Sequence, residues 1–265
     1  MVPEPTSQRD LLPWPGQRRP AAPTDSTSGL SRVWRSYWPA LVLFGLGFVA
    51  LTVDIPVAWV GKDRTLPSAV FQLVDSSEAY GHGIGVALLL TAIYLLDPQR
   101  RRCIPRIAVM SLGSGLINNL VKKLIQRSRP VAFDFAGGVF DTFKQWDPLS
   151  WHPTGMQSCP SSHTATAMGL TLGLTWLYPR GRWLFVAVTV MVASQRVLNI
   201  AHFLSDTLWG ATVGWLIAVS ALRGVGLFRY FDRWEAGAQQ RDSGESRNDG
   251  AETEADIITE KRRAA

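Results

Sequence analysis

Residues 196–222 read RVLNIAHFLSDTLWGATVGWLIAVSAL, a short polar segment followed by a long apolar one. The apolar part, 207–222, carries no formal charge, and residues 201–222 are enough to cross a hydrocarbon core about 30 Å thick as a helix. Similar apolar runs occur upstream, and only 18% of the 265 residues are charged, against about 25% in an average soluble domain. This pattern predicts an all-α integral membrane protein rather than a soluble one.

The apolar runs predict a bundle of six membrane-spanning helices. The expected spans are residues 38–60, 81–96, 104–124, 162–178, 183–198 and 201–222. Near the end of the first run, Asp54 and Pro56 indicate a helix end. Both ends of the chain are polar and lack apolar runs, so we expect disordered tails at 1–35 and, for the most part, at 224–265, around a membrane domain at 36–223.

Arginine residues set the expected orientation, because loops on the cytoplasmic side of a membrane are enriched in Lys and Arg. They collect on the side of the two termini, so both termini are expected to be cytoplasmic, in the inner (plasma) membrane of a bacterium. The net charge of +6 lies in this apolar middle and marks span ends instead of forming a basic face, so no nucleic-acid partner is expected. Basic residues also fall on the opposite side against this rule, among them Lys122, Lys123, Arg127, Arg129 and Arg196.

Three groups of ionisable and hydroxyl residues collect at the outward rim of the predicted bundle. Such residues are costly at or within a membrane span and commonly mark a functional site. In chain order they are Lys122 and Arg129; Ser161, Ser162 and His163; and Arg196, His202 and Asp206.

Each group also has a structural interpretation. The cations could reach lipid head groups from a helix end, and a histidine at a span end is often interfacial. His202 and Asp206 lie four residues apart on one helix face and could be a structural pair. Functionally, the Asp206 carboxylate would accept a hydrogen bond from one ring nitrogen of His202 and leave the other as a nucleophile.

Together the groups supply the residue types that phosphoryl transfer requires. Cations and a helix N-terminus can hold phosphate oxygens, one histidine can attack phosphorus, and another can protonate the leaving oxygen. The spacings typical of metal ligands do not occur, so no metal and no other cofactor is expected, and the cations would take the place of a metal ion.

The three groups resemble the signature of the type 2 phosphatidic acid phosphatase superfamily, which includes the vanadium haloperoxidases. That signature is Lys, six residues, Arg-Pro; then Pro-Ser-Gly-His; then Ser-Arg, five residues, His, three residues, Asp. This chain has Lys122 with Arg129-Pro130, then residues 160–163 as Pro-Ser-Ser-His, then Arg196 with His202 and Asp206. Ser162 stands where the family usually has Gly, and Gln195 where it usually has Ser.

The resemblance implies a role for each residue. His202 would form a phosphohistidine, Asp206 would orient it, and His163 would protonate the leaving oxygen and then activate water. The implied phosphate ligands are Lys122, Arg129, Ser161 and Arg196, with the Ser162 N–H group.

The resemblance therefore implies a metal-independent membrane phosphatase of the phosphatidic acid phosphatase type that acts on a lipid phosphate or diphosphate. Phosphatidylglycerophosphate, phosphatidate and undecaprenyl diphosphate are candidate substrates. A lipid phosphotransferase of the same family is one alternative, and a non-catalytic transporter or scaffold is another. A haloperoxidase fits less well, because those relatives are soluble.

Overall fold

The structure, a computed structural model, describes residues 26–144 and 157–235, with side chains from residue 35 onward. The regular structure of these residues is helical, which confirms the predicted all-α class, and isolated β-bridges join Arg127 to Phe143 and Gln157. The helices are α1 Ser26–Ala50, α2 Asp54–Lys62, α3 Ser68–Asp75, α4 Glu78–Gly81, α5 Gly83–Leu96, α6 Ile104–Ala108, α7 Ser114–Val121, α8 Ser162–Leu177, α9 Arg182–Leu198 and α10 Leu204–Leu222.

Helical structure extends into both predicted tails. Helix α1 begins at Ser26, and a helical segment, Gly226–Glu235, follows α10. Most of each predicted tail, residues 1–25 and 236–265, lies outside the described residues.

The predicted number of six spans is not confirmed. By length and hydropathy, one described helix, Pro179–Leu198, can cross a membrane. Three bent pairs also qualify if each counts as one span: Arg35–Ala50 with Asp54–Lys62, bent by 76°; Ser68–Gly81 with Gly83–Leu96, by 68°; and Leu204–Leu222 with Gly226–Glu235, by 43°. The described residues thus contain up to four spans by this measure.

The two remaining predicted spans are helical but form the centre of the bundle. A π-helical turn, Val109–Gly113, interrupts the third between α6 and α7, and the fourth, α8, is only 16 residues long. Ten residues of α8 are buried. A Cβ atom added at Gly169 would overlap the Met110 carbonyl oxygen, so this glycine lets the backbones of α8 and the π-turn approach closely.

The outer surface of the bundle is strongly apolar. Large hydrophobic side chains are exposed on several helices, such as Leu41 and Phe48 on α1, Leu88 on α5, and Leu184 and Val190 on α9. Soluble monomers rarely expose contiguous apolar patches of this kind, whereas lipid-facing helices do. These exposed side chains fit the predicted contact with lipid.

Tertiary hydrogen bonds bring the three motif segments to one end of the bundle. Asn118 near the end of α7 donates to the Pro160 carbonyl oxygen, at 2.8 Å, just before α8. The Ser161 N–H group donates to the Asp206 carbonyl oxygen of α10, at 2.9 Å. This end of the bundle is called the motif end below.

The opposite end carries a second buried arginine. Arg106 in α6 donates to Glu235 at 2.8 Å and to Asp232 at 2.5 Å, and its guanidinium also reaches the Ala221 carbonyl oxygen at 3.0 Å. These bonds dock the segment Gly226–Glu235 beneath α6 and α10.

Candidate active site

The predicted cations and histidines meet at the motif end. Lys122 is the C-cap of α7 and is buried, whereas its neighbour Lys123 is exposed. Lys122, Arg129 and Arg196 lie close enough to interact electrostatically with both His163 and His202. The three cations therefore lie at the same end of the bundle as both imidazoles.

Two of these guanidinium groups present unsatisfied donors. Within the described part of the chain, the Nε atoms of Arg129 and Arg196 are buried and have no hydrogen-bond partner. The other end of the Arg196 guanidinium reaches Glu78 at 3.4 Å and Gln195 at 3.3 Å. A buried donor without an acceptor is costly, and an anion between the cations would satisfy both Nε–H groups.

Arg129 is half-buried in this cluster, and its electrostatics reflect that position. Burial lowers the pKa of the Arg129 guanidinium below its ordinary value, and the Asp206 carboxylate offsets only part of this effect. The group remains charged at neutral pH because an arginine pKa starts far above it.

The start of α8 provides the helix N-terminus that the second motif predicts. Ser161 is the N-cap and Ser162 the first helical residue, so their backbone N–H groups lie at the positive end of the helix dipole. The Ser162 hydroxyl donates to Asn119 at 2.5 Å and accepts from Asn118 at 3.1 Å. The side chain that replaces the usual glycine thus contacts α7.

Gln195, the other departure from the family pattern, is bonded to a neighbouring helix. Its side-chain amide donates to Asp75 of α3 at 3.4 Å, and the Asn199 amide donates to the same carboxylate oxygen at 2.7 Å. These contacts fix the end of α9, whose last turn carries Arg196. The Arg196 carbonyl oxygen then accepts from the His202 N–H group at 3.1 Å and ties the turn to α10.

The predicted hydrogen bond between His202 and Asp206 is wrong. Nδ1 of His202 lies 3.9 Å from the nearer Asp206 oxygen but 2.7 Å from the Ser158 carbonyl oxygen. A carbonyl oxygen only accepts, so Nδ1 carries the proton and Nε2 carries the lone pair. The ring is therefore in the tautomer that a nucleophile requires, with Ser158 in the place expected for Asp206.

Asp206 contacts Ser158 instead of the ring. One carboxylate oxygen accepts from the Ser158 hydroxyl at 2.6 Å and from the Phe203 N–H group at 3.0 Å, and the other accepts from Arg127 at 2.6 Å. The four-residue spacing does put Asp206 near His202. However, Phe203, between them, is the N-cap of α10, and the Asp206 carboxylate binds the Phe203 N–H group at the start of that helix.

Arg127 and Asp54 belong to the motif end although the sequence pattern did not assign them to it. Both side chains are fully buried, and they form an ion pair with 2.7 Å between Arg127 Nη2 and an Asp54 oxygen. The sequence pattern places Arg127 only among the outward basic residues and takes Asp54, with Pro56, as a helix end. The available signal was that a carboxylate beside a charge-free run requires a buried partner.

His163 and His82 are also neighbours. Their ring centroids lie 5.8 Å apart, and His82 caps α5 by accepting the Ile84 N–H group on Nδ1 at 3.3 Å. Among residues 26–144 and 157–235, no group of three or more His, Cys, Asp or Glu residues is arranged to hold a metal ion.

Comparisons with known proteins identify the family. The sequence profile described as the PAP2 superfamily matches residues 105–230. A lipid A 1-phosphatase of Rhizobium etli is 30% identical over 203 residues, which are 70% of this chain and 84% of that protein. A lipid A 1-phosphatase of Rhizobium johnstonii is 34% identical over 221 residues, 74% of this chain and 87% of the relative. No solved structure matches the chain significantly.

Proposed function

Because this chain belongs to the PAP2 superfamily and is a phosphatase of lipid phosphates, we propose that it hydrolyses its substrate through a phosphohistidine on His202. The observation that carries the proposal is the convergence of Lys122, Arg129 and Arg196 on the two histidines, with two buried guanidinium Nε–H groups lacking an acceptor. These donors are preorganised for a phosphate dianion.

In the first step, Nε2 of His202 attacks phosphorus while the bond from phosphorus to the lipid oxygen breaks. His163 gives a proton to the departing oxygen, so the lipid leaves as an alcohol. Nδ1 remains bonded to the Ser158 carbonyl oxygen throughout and keeps the ring aligned.

In the second step, a water molecule takes the place of the departed lipid, on the side of phosphorus that faces away from His202. His163, now neutral, removes a proton from this water, whose oxygen attacks phosphorus as the bond to His202 breaks. Inorganic phosphate leaves, and both histidines return to their starting states. The three cations stabilise the charge on the phosphate oxygens in both steps.

The substrate class follows from the surroundings of the site and from the relatives. The motif end lies beside helices that expose apolar side chains, so a substrate can reach the cations while its acyl chains stay in the bilayer. Two relatives are lipid A 1-phosphatases, and we propose lipid A, through its 1-phosphate, as the first candidate. Phosphatidylglycerophosphate, phosphatidate and undecaprenyl diphosphate are the other candidates.

The proposed location is the inner membrane of a bacterium, with both termini cytoplasmic and the motif end facing outward. The support is the distribution of arginines, most of which lie away from the motif end. The exceptions are the arginines assigned to phosphate, Arg127 and Arg64.

Release of inorganic phosphate tests the function directly. Purified protein in detergent micelles with EDTA is given each of the four lipids, and we expect turnover of at least one, with lipid A preferred. His202→Ala is expected to abolish turnover. Full activity of that variant, or no release from any lipid by the wild type, would contradict the proposal. Phosphate found on an added alcohol instead of in solution would identify a phosphotransferase.

Two adjacent lysines provide a matched test of phosphate binding. Lys122→Ala removes a buried cation of the cluster and is expected to lower kcat/KM by about 100-fold. Lys123→Ala removes an exposed cation one residue away and is expected to change kcat/KM by less than about twofold. Equal losses in the two variants would indicate that the lysines act through general surface charge.

A further inference from the structure

A network of three buried charges lies directly behind the proposed nucleophile. The Arg127 guanidinium donates to Asp206 at 2.6 Å through one terminal nitrogen and to Asp54 at 2.7 Å through the other. All three side chains have no exposed surface. The network joins α2 to α10 through a residue of the loop that follows α7.

Ser205 and two aromatic rings enclose this network. The Ser205 hydroxyl donates to Asp54 at 2.5 Å and accepts from Arg127 at 2.7 Å, and its N–H group donates to Asp54 at 3.0 Å. The guanidinium lies over the rings of Phe203 and Phe143, at 4.3 Å and 4.6 Å from their centroids. Each of the three guanidinium nitrogens of Arg127 thereby has a partner, since its Nε donates to Thr142 at 3.0 Å.

The network reaches His202 through Ser158. Arg127 holds Ser158 by its main chain, because the Ser158 N–H group donates to the Arg127 carbonyl oxygen at 3.0 Å. It also holds Asp206, which accepts from the Ser158 hydroxyl at 2.6 Å. Ser158 is thus fixed at both its N–H and its hydroxyl, and its carbonyl oxygen is the atom that binds Nδ1 of His202.

The charge state of Arg127 is compatible with this role. Burial lowers the pKa of its guanidinium, but the negative charges of Asp206 and Asp54 more than offset that effect and raise the pKa above its ordinary value. A buried arginine with two carboxylates is expensive to desolvate, and hydrophobic residues often replace such groups without loss of stability. Its presence next to the reacting histidine therefore suggests a use other than stability.

We propose that Arg127 and Asp54 are positioning residues of the phosphatase, which hold Asp206 and Ser158 so that the Ser158 carbonyl fixes the His202 ring for attack. This inference rests on the proposed function. Neither residue belongs to the three motif groups, and neither contacts the proposed phosphate position.

The main test compares steady-state kinetics of wild type, Arg127→Lys and Asp54→Asn on whichever lipid the wild type hydrolyses. Lysine keeps the positive charge but lacks the planar fork that reaches both carboxylates. We expect kcat to fall by about 10- to 100-fold in both variants. Losses of this size are typical when a residue that hydrogen-bonds to a metal ligand and orients it is replaced. KM is expected to stay within about twofold, because the phosphate ligands are untouched.

Glu235→Gln supplies a matched control. It neutralises one of the two carboxylates on the other buried arginine, Arg106, at the far end of the bundle. It should lower thermal stability as the Asp54 variant does, yet leave kcat within about twofold of wild type. An equal fall of kcat in Glu235→Gln would overturn the inference, since general destabilisation would then explain all three variants.

Ser205→Ala tests the positioning role if the charge variants do not fold. It removes the hydroxyl that Asp54 and Arg127 share, keeps every charge, and is expected to lower kcat at unchanged KM. Wild-type kcat in folded Arg127→Lys, Asp54→Asn or Ser205→Ala would overturn the positioning role and leave the phosphatase proposal intact. A wild type without phosphatase activity would instead remove the proposed function itself.

Discussion

Ser162 is the residue where this chain departs most visibly from its family, and its backbone has a different role from its side chain. The hydroxyl bonds to Asn118 and Asn119 of α7, while the N–H group lies at the open N-terminus of α8. Glycine at this position would lose the contacts with α7 but keep the N–H group. The replacement is therefore expected to affect helix packing more than phosphate binding.

Two substitutions of Ser162 separate these roles. Proline is accepted at the first position of a helix, and Ser161 before it has φ −78° and ψ 114°, which suits a residue preceding proline. Ser162→Pro is expected to lower kcat/KM by about tenfold because a donor to phosphate is lost. Ser162→Gly, which also lacks the hydroxyl, should retain kcat/KM within about twofold. Equal activity of both variants in the phosphate assay would contradict the proposed role of the N–H group.

The motif residues could be predicted from sequence because their spacing is local. His202 lies just before α10 and Asp206 in its first turn, and Ser161 to His163 form one helix start. Asp54 and Arg127 could not be paired in this way, since the ion pair joins residues 73 positions apart. The substitution of the Ser158 carbonyl for the Asp206 carboxylate was also beyond the sequence, because every residue has a carbonyl and only the folded loop directs this one to the ring.

Breaks between consecutive helices place side chains at the motif end. The bend of 76° between α1 and α2 places Asp54 at the start of α2, and the break after Gly81 places His82 beside His163. Hydropathy detects the apolar run on either side of such a break, but it does not show the angle between the two helices. This explains why six continuous spans were predicted and why the helices observed are shorter and bent.

Two glycines test the close packing of α8. Gly169 faces the Met110 carbonyl oxygen, whereas a Cβ atom at Gly45 of α1 would meet nothing within 4 Å. Gly169→Ala is expected to destabilise the protein by about 1–3 kcal/mol through overpacking. Gly45→Ala is expected to stabilise it by up to about 1 kcal/mol through helix propensity. Thermal unfolding in the same detergent measures both, and Gly169→Ala as stable as Gly45→Ala would refute the close approach.

At the level of the whole molecule, the basic residues are divided unequally between the two ends of the bundle. The basic residues that violate the orientation rule include the three proposed phosphate ligands and Arg127, which pairs with two buried carboxylates. Lys123 is exposed at this end, as are Lys62, Arg64 and Lys144. The arginines that obey the rule, such as Arg180, lie at the opposite end of the bundle. The distribution of basic residues is thus the basis of both the predicted orientation and the predicted site.

Cysteine labelling tests the orientation. The native thiols provide a low background, because burial raises the pKa of Cys103 to about 12 and raises that of Cys159 well above its ordinary value. Asp63→Cys, exposed after α2, should react with a membrane-impermeant maleimide on intact spheroplasts. Arg180→Cys, exposed before α9, should react only after permeabilisation. The reverse pattern would place the motif end in the cytoplasm.

The stereochemical course at phosphorus tests the central claim, covalent catalysis by His202, most directly. The substrate is the lipid that the enzyme hydrolyses, prepared as a thiophosphate whose phosphorus is chiral through sulfur and two oxygen isotopes. It is hydrolysed in water enriched in the third stable oxygen isotope, and the configuration of the released thiophosphate is determined. Attack by His202 followed by attack of water inverts phosphorus twice, so the account predicts net retention. Net inversion would mean that water attacks the lipid phosphate in a single step and would contradict the phosphohistidine mechanism.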